Sequence, residues 1–202
     1  NTLDPTTLFR TFEKDYIGNF SPEKPFIAIA TYYCGGDVVD SLIRSYAKSG
    51  RTAFNVFKTS TTPSMSSILN RITNASKIGI STITSLYSWS LSYANGSAEP
   101  DLSEIDLAVL KGVNEISEYS YNSDLGPQVE WTYAVPFPSF EGVYGPVILS
   151  YVDGEGKTHV IQSGVDKMVK LSCGWADLKD LDNSDKTIAI VLYNYPPGKA
   201  EI

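Results

Sequence analysis

The sequence has very few of the residues from which metal sites and nucleophilic active sites are most often built. Its 202 residues include one histidine, His159, and two cysteines, Cys34 and Cys173. A single histidine excludes His-rich metal sites and the H-E-x-x-H motif, and two cysteines are too few for a disulfide framework. Whether the two cysteines pair is left open by the sequence, and we expect two buried thiols.

Basic runs and long apolar runs are also missing. The 16 Lys and Arg residues face 23 Asp and Glu residues, which gives a net charge of -7, and no basic block can follow a phosphate backbone. We therefore expect no nucleic-acid partner. No apolar run reaches the roughly 20 residues of a membrane-spanning helix, and residues 1–16 lack the pattern of a secretory signal. We expect no membrane span and a cytoplasmic location.

Nucleotide and triad-hydrolase motifs are absent or incomplete. There is no Walker A motif and no G-x-S-x-G motif, and Gly35-Gly36 are only a fragment of the G-x-G-x-x-G fingerprint. A tight turn with Asp37 as the helix cap is the favoured interpretation of the two glycines, and a phosphate site is the weaker alternative. The sequence thus offers no support for ATP hydrolysis by this chain.

The sequence does contain an alternation of strand and helix patterns. After a lead-in over residues 1–25, strands are predicted at "FIAIATYY", "AFNVF" and "IGISTIT", with helices between them; Thr62-Pro63 is read as the start of the second helix. A helix is predicted over 102–111 and a fourth strand at "NEISEYSY". This rhythm predicts an α/β fold with a three-layer, open, mostly parallel sheet, Rossmann-like or flavodoxin-like.

The amino-acid composition changes after about residue 120. A segment rich in proline and aromatic residues is followed by a hairpin around "DGEG", at about 145–163, and by a helix with one broad apolar side from Val165 to Leu178. An apolar strand, Ile188–Leu192, closes the pattern. We interpret residues 26–202 as one α/β domain that is truncated at its C-terminus, its last strand either joining the sheet or opening the next one.

Two stretches have the composition of a binding site. The aromatic stretch from Trp131 to Tyr144, which contains Glu141, matches the mostly apolar lining of ligand pockets, although a core under the hairpin explains it equally well. The hydroxyl-rich stretch "TSTTPSMSS" follows the second strand, where open α/β sheets bind ligands. Turn and cap roles are the favoured interpretation of those hydroxyls.

The order of these motifs is similar to one section of the large subunit of cobaltochelatase and of magnesium chelatase. The closing stretch "CGWADLKDLDNSDKTIAIVLYNYPPGKAEI" keeps that family's Trp and Leu three apart, at Trp175 and Leu178, and its "YNYPP" signature. The stretch "AVPFPSFEGVYGP" resembles the family's "ALPELDG" segment, with matches at Pro138, Glu141, Gly142 and Pro146. The resemblance covers residues 26–198.

This resemblance implies a ligase that forms nitrogen–metal bonds, an ATP-dependent chelatase. Its large subunit holds the tetrapyrrole and the incoming cobalt or magnesium, and separate motor subunits hydrolyse ATP. The expected partners are the tetrapyrrole, the rest of the large subunit and the motor subunits. We expect the isolated domain to bind no cofactor of its own and to be inactive. The predicted tetrapyrrole contacts are Tyr33, Trp131, Glu141, Tyr144, Asn194 and Tyr195.

Several positions depart from the family pattern. Ser139 and Gly145 stand where the family has acidic residues, and Tyr33 and Cys34 stand where a polar residue and histidine are common. The main alternative is therefore a non-catalytic binding or surface protein that retains the fold. Three N-x-S/T sequons, at Asn19, Asn74 and Asn95, keep an extracytoplasmic location open. A small-molecule enzyme on a flavodoxin-like sheet is a third alternative, based on fold analogy.

Overall fold

The computed structural model describes residues 24–32, 35–57, 63–75, 79–88, 90–92, 102, 105–114, 116–126 and 129–191. Within them the elements, in chain order, are β1 (Phe26–Thr31), α1 (Asp37–Lys48), β2 (Ala53–Phe57), α2 (Met65–Ala75), β3 (Ile80–Ser85), β4 (Ala108–Val113), β5 (Ile116–Ser117), α3 (Glu118–Asn122), α4 (Val129–Ala134), α5 (Pro136–Phe140), β6 (Tyr144–Ile148), β7 (Ser150–Val152), β8 (Thr158–Val160) and α6 (Gln162–Asp180).

The main sheet has five strands in the order β2-β1-β3-β4-β6, and all four pairings are parallel. Every residue of β1 and β3 is buried, as expected of inner strands that are covered on both faces. This confirms the predicted open α/β sheet. The strand order reverses between β1 and β3, which is the point at which such sheets leave a crevice outside the carboxyl ends of their strands.

Helices cover both faces of this sheet, as predicted. The alternation of side chains along β1 separates two cores. On one face, Phe26, Ala28 and Ala30 pack with the apolar side of α2, which consists of Met65, Ile68, Leu69 and Ile72. On the other face, Ile27 and Ile29 pack with residues of α1 and α6, including Val39, Leu42, Tyr46, Val165, Met168 and Val169. Of the predicted apolar side of α6, Trp175 and Leu178 remain about 40 % exposed.

The predicted hairpin is present as β7 and β8, which pair antiparallel with Ser150 opposite Val160. Its turn is held by Asp153, whose Oδ1 accepts hydrogen bonds from the backbone N–H groups of Glu155 and Lys157, at 2.9 Å each. β5 pairs parallel with β7 and completes a second, three-stranded sheet. The first part of the predicted hairpin range, β6, instead pairs with β4 in the main sheet.

Strand β6 contains a bulge that a glycine makes possible. Tyr144 lies opposite Leu110 and Val147 lies opposite Gly112, so that Gly145 and Pro146 together oppose the single residue Lys111. Gly145 has a φ of 65°, in the region that only glycine enters at little cost. The bulge gives a physical reason for glycine at a position where the family pattern has an acidic residue.

Two of the predicted elements around residues 102–121 are wrong. The described part of the segment 102–111 contains no α-helix: β4 begins at Ala108, and Leu102 and Ile105 are buried ahead of that strand. Leu102, Ile105 and Leu110 have helical spacing, but β4 is buried on both faces and therefore shows no alternation that would reveal a strand. The predicted fourth strand is only two residues long, because α3 begins at Glu118, with Ser117 as its cap.

The predicted helix starts also need correction. Gly36, not Asp37, occupies the N-cap position of α1, and no side chain caps that helix; Asp37 lies in its first turn, where a carboxylate favours the helix dipole. The second helix begins at Met65, and Ser64 Oγ accepts a hydrogen bond from Ser67 N at 3.1 Å. Thr62 lies outside the described residues.

The predicted terminal strand is wrong over the part that the structure describes. After α6 and a 3-10 turn at Asn183–Asp185, the chain up to Val191 joins neither sheet. Ile188, Ile190 and Val191 are 83 %, 81 % and 89 % exposed. β-branched residues favour strands, but a strand forms only beside a partner that accepts its hydrogen bonds. Residues 1–23, which are most of the predicted lead-in, and residues 192–202 lie outside the described residues.

The proline- and aromatic-rich segment forms two short helices that the sequence analysis did not predict. Its first helix, α4, ends at Ala134, and α5 follows at once with Pro136 in its first turn. Proline is well tolerated there because the first N–H groups of a helix have no partner within the helix. This arrangement delivers the chain to Glu141, immediately before β6.

Candidate functional site

The carboxyl ends of β1, β3 and β4 converge on the segment that leaves β3. We call residues 86–88 and 90–92 the exit segment. It lies at the reversal of strand order, where open α/β sheets bind their ligands. Leu86 N donates to Ala30 O of β1 at 2.9 Å, and Leu91 O accepts from Ser66 N, in the first turn of α2, at 3.1 Å. The exit segment is thus tied to elements on both sides of the crevice.

Glu141 fastens the exit segment through three hydrogen bonds. Its Oε2 accepts from Leu91 N at 2.7 Å, and its Oε1 accepts from Ser92 N at 3.3 Å and from the hydroxyl of Ser90. A carboxylate that accepts several N–H and O–H donors is well satisfied by the protein itself. The structure therefore places Glu141 on the backbone of the exit segment, where it positions that segment.

Two tyrosine rings meet across the crevice. The ring centroids of Tyr32, just after β1, and Tyr87, in the exit segment, lie 3.9 Å apart with an interplanar angle of 34°. Tyr32 is 37 % exposed, whereas Tyr87 is 3 % exposed. The Tyr87 hydroxyl is buried and has no hydrogen-bond partner in the described part of the chain. Its burial, together with the neighbouring Tyr32, raises the pKa of Tyr87 above its usual value.

A buried lysine lies under the exit segment. Lys111 is 1 % exposed, and its Nζ donates to the backbone oxygen of Tyr87. No carboxylate of the described residues forms an ion pair with it, and burial lowers its pKa to about 7. The sequence analysis missed both Lys111 and Tyr87. The available signal was a lone lysine inside the apolar run "AVLKGV". The helix that we predicted over 102–111 placed this lysine outside any strand, so it did not stand out.

The turn after β1 is held by Asn55 of β2. Asn55 Oδ1 accepts from Gly35 N at 3.0 Å, while its Nδ2 donates to Ile29 O at 3.0 Å and to Thr31 Oγ1 at 2.8 Å. The Gly35 amide is therefore already used within the protein, which agrees with a tight turn. The described hydroxyls of the "TSTTPSMSS" stretch likewise serve the start of α2: Ser64 Oγ caps it and lies 3.0 Å from Ser66 Oγ.

The other predicted site residues contact different groups. Trp131 packs on a third core, which consists of Val113, Ile116 and Ala134 with Tyr151 of the hairpin beside it. Tyr144 makes an edge contact with Trp175 of α6, at a centroid distance of 5.4 Å and an angle of 74°. Trp131 thus belongs to a core under the hairpin. Tyr33, Asn194 and Tyr195 lie outside the described residues, and their contact with a tetrapyrrole stays a prediction.

The few metal-ligating and nucleophilic side chains do not gather. Within the described ranges no group of three or more His, Cys, Asp or Glu residues is placed to hold a metal ion. His159 Nε2 lies 2.6 Å from Asp153 Oδ2, and its ring stacks on Tyr151. This contact and the turn N–H groups lower the pKa of Asp153. Cys173 is a free, half-buried thiol whose pKa is raised by burial.

A separate groove lies between α1 and α6. Its volume is about 590 Å³, and Lys48, Asp166 and Cys173 are among the residues that line it. Of the predicted tetrapyrrole contacts, the three that the structure describes, Trp131, Glu141 and Tyr144, do not line it. As for membrane insertion, the described helices include none that combines the length and the apolar character of a membrane span.

Comparison with known proteins identifies a consistent group of relatives. A family model described as CobN/Magnesium Chelatase matches residues 5–202. The H subunit of the magnesium chelatase of Chlorobaculum parvum is 39 % identical over 71 residues, which are 35 % of this chain and 5 % of that protein. The chloroplastic ChlH subunit of the magnesium chelatase of Oryza sativa subsp. indica is 26 % identical over 98 residues, 48 % of this chain and 7 % of that protein.

A solved structure has the same fold. The catalytic subunit of cobaltochelatase from Mycobacterium tuberculosis matches with a TM-score of 0.65 over 83 % of this chain, at 17 % sequence identity. The match covers 16 % of that subunit. The chain therefore spans a small part of the length of each relative that it matches.

Proposed function

We propose that this chain, which belongs to the CobN/magnesium chelatase family, is one α/β domain of the large, tetrapyrrole-binding subunit of a metal chelatase. The observation that carries this proposal is the family match over residues 5–202, and the likeness of the fold to a cobaltochelatase subunit supports it. In the complete assembly, cobalt or magnesium is the substrate ion, and ATPase motor subunits supply the energy. This domain contributes binding surface and contacts with the rest of the subunit.

The chemistry of metal insertion defines what such a domain must offer. The ion has to lose its water, and the flat macrocycle has to lose two pyrrole protons while its faces are held by apolar and aromatic groups. At the carboxyl edge, the exposed ring of Tyr32, which rests on the buried ring of Tyr87 in the exit segment, offers an aromatic surface of this kind. Glu141 serves this surface by holding the exit segment in place, because its oxygens accept hydrogen bonds from that segment.

Titration with a porphyrin tests the proposal. We expect the Soret absorbance and the Trp fluorescence of the 202-residue chain to change as the porphyrin binds. Glu141→Ala releases the exit segment and should weaken binding about tenfold, the effect of losing hydrogen bonds to a charged group. Glu118→Ala is the matched control, since it removes an equal charge from an exposed site on α3. A wild-type chain that gives no response at high micromolar porphyrin would overturn the proposal.

A second candidate function is a binding or surface protein that keeps the fold without taking part in metal insertion. It is favoured by Asn74, the first residue of a sequon, which lies exposed on α2. It is also favoured by Ser139, whose hydroxyl donates to Pro136 O at 2.7 Å where the family pattern has an acid. Glycan on Asn74 of the protein isolated from its source, together with no response to porphyrin, would support this candidate over the first.

A further inference from the structure

The ammonium group of Lys111 lacks the partners that a buried charge requires. An ammonium has three N–H donors, and the described residues offer Lys111 one acceptor, the backbone oxygen of Tyr87. Burial is the single cause of its lowered pKa, so that neighbouring charges contribute no resolved part of the shift. Buried charges are normally paired, because an unpaired charge away from water is costly. Lys111 therefore has no carboxylate partner among the described residues, in a chain whose net charge is -7.

The same residue, Tyr87, carries a second unused donor. Its hydroxyl is buried and makes no hydrogen bond with the described residues, although nearly all buried polar groups in proteins have a partner. By contrast, the hydroxyl of Tyr46, equally buried in the core between α1 and α6, makes two. Since incompletely paired polar groups are rare in a folded interior, the free hydroxyl of Tyr87 and the single acceptor of Lys111 indicate a further acceptor beyond the described residues.

We propose that Lys111 and Tyr87 form a subsite for a carboxylate group of the bound ligand, at the carboxyl ends of β3 and β4. A carboxylate carries one charge and acceptor oxygens that suit one ammonium and one hydroxyl. A phosphate has nearly two charges and three strong acceptor oxygens, more than these two donors can match. The inference rests on the proposed function, in which the ligand is a tetrapyrrole with acidic side chains.

The position of the two groups determines how the ligand reaches them. Lys111 lies beside Ser85, the last residue of β3, and the exit segment passes over it. The ring of Tyr32 contacts that of Tyr87 at a tilt of 34° and is the more exposed of the two. A macrocycle that lies in the crevice meets Tyr32 first, and an acidic side chain of the macrocycle then displaces that ring to reach the two donors.

A matched pair of porphyrins tests this subsite. The 202-residue chain is titrated with a porphyrin that carries carboxylate side chains and with its uncharged methyl ester, and dissociation constants are obtained from Soret absorbance. We expect the acid to bind at least about tenfold more tightly than the ester, as charge-assisted hydrogen bonds require. Lys111→Met and Tyr87→Phe should each reduce this ratio of the two affinities. Both substitutions keep the shape of the buried side chain, and thermal unfolding checks that the variants fold.

The outcomes separate this inference from the proposed function. If acid and ester bind equally, or if both variants keep the wild-type preference, the subsite is overturned while tetrapyrrole binding stands. If neither porphyrin binds the folded wild-type chain, the proposed function fails and the subsite fails with it. Arg51→Lys is a further control, because Arg51 is a buried cation that already has a carboxylate partner, Asp177. Arg51→Lys should leave the preference for the acid unchanged.

Discussion

Two buried tyrosines, on different sides of the molecule, differ in the hydrogen bonds that their hydroxyl groups make. Tyr46, between α1 and α6, donates to Ser172 Oγ and accepts from Thr84 Oγ1, at 2.8 Å each. Tyr87, in the crevice at the carboxyl edge, has a hydroxyl without a partner among the described residues. The hydroxyl of Tyr46 thus has two partners in the core between α1 and α6, whereas that of Tyr87 has none among the described residues. Local rules are typically broken where a protein functions, and the unpartnered hydroxyl of Tyr87 is one reason why we propose a binding site at the carboxyl edge.

The largest expected effect on stability comes from disturbing the packing of α6 against β6. A Cβ on Gly164 would lie 2.0 Å from Ile148 O, because α6 packs directly on the end of β6. Gly164→Ala should destabilise the chain by about 3 kcal/mol, since backbone must move to make room. Gly174→Ala, in the same helix with no atom within 4 Å of the new Cβ, should instead stabilise by up to about 1 kcal/mol. Urea unfolding measures both; equal effects would contradict the close packing.

The next effect concerns the charge of Lys111. Burial lowers its pKa in the folded state to about 7, below the unfolded value of 10.5, so the unfolded chain binds more protons between these values. The free energy of unfolding should therefore rise with pH across this window, by roughly 1 kcal/mol per pH unit. Lys111→Met should lack this rise. Unfolding of the wild type and the variant from about pH 7 to about pH 10 isolates the lysine, and parallel curves would show that Lys111 titrates normally.

A smaller effect on stability is expected when the hydroxyl group of either tyrosine is removed. Tyr46→Phe should cost about 1–2 kcal/mol, because Thr84 and Ser172 lose a hydrogen-bond partner in the core. Tyr87→Phe should be neutral or should stabilise the chain by about 1 kcal/mol, because it removes a buried hydroxyl that has no partner among the described residues. Thermal and urea unfolding distinguish the two variants. A clear loss of stability in Tyr87→Phe would mean that its hydroxyl does have a partner.

The smallest effect lies in the hairpin, away from both tyrosines. His159 and the turn N–H groups lower the pKa of Asp153, so its stabilising effect is complete above the unfolded value of 3.8. It is lost as the pH falls through the lowered folded value. We expect the hairpin amides to lose protection at acid pH before the main sheet does, as seen by hydrogen exchange. Asp153→Asn should show weaker protection already at neutral pH.

Much of the fold was predictable because inner strands carry strong signals. Continuous apolar runs predicted β1, β2 and β3, and the spacing of Met65, Ile68, Leu69 and Ile72 predicted the buried side of α2. The prediction failed at β4, where burial on both faces removes any alternation. It also failed at Ile188–Val191, where strand-forming side chains have no partner among the described residues.

The candidate site was predictable only in part. Glu141 stood out in the sequence as a lone acid among aromatic residues, but its partners lie about 50 residues earlier in the chain. Lys111 and Tyr87 carry no motif at all. Their significance depends on what surrounds them, and a sequence does not report burial or the absence of a partner.

The class of fold, the layers of helix and sheet, and the family to which the chain belongs follow from the sequence, because periodicity and short motifs are local properties. The strand order and its reversal, the hydrogen bonds from the exit segment to Glu141, and the buried surroundings of Lys111 and Tyr87 are visible only in the folded chain. Those features arise when residues far apart in the chain are brought together and removed from water, which changes the energies of their polar groups.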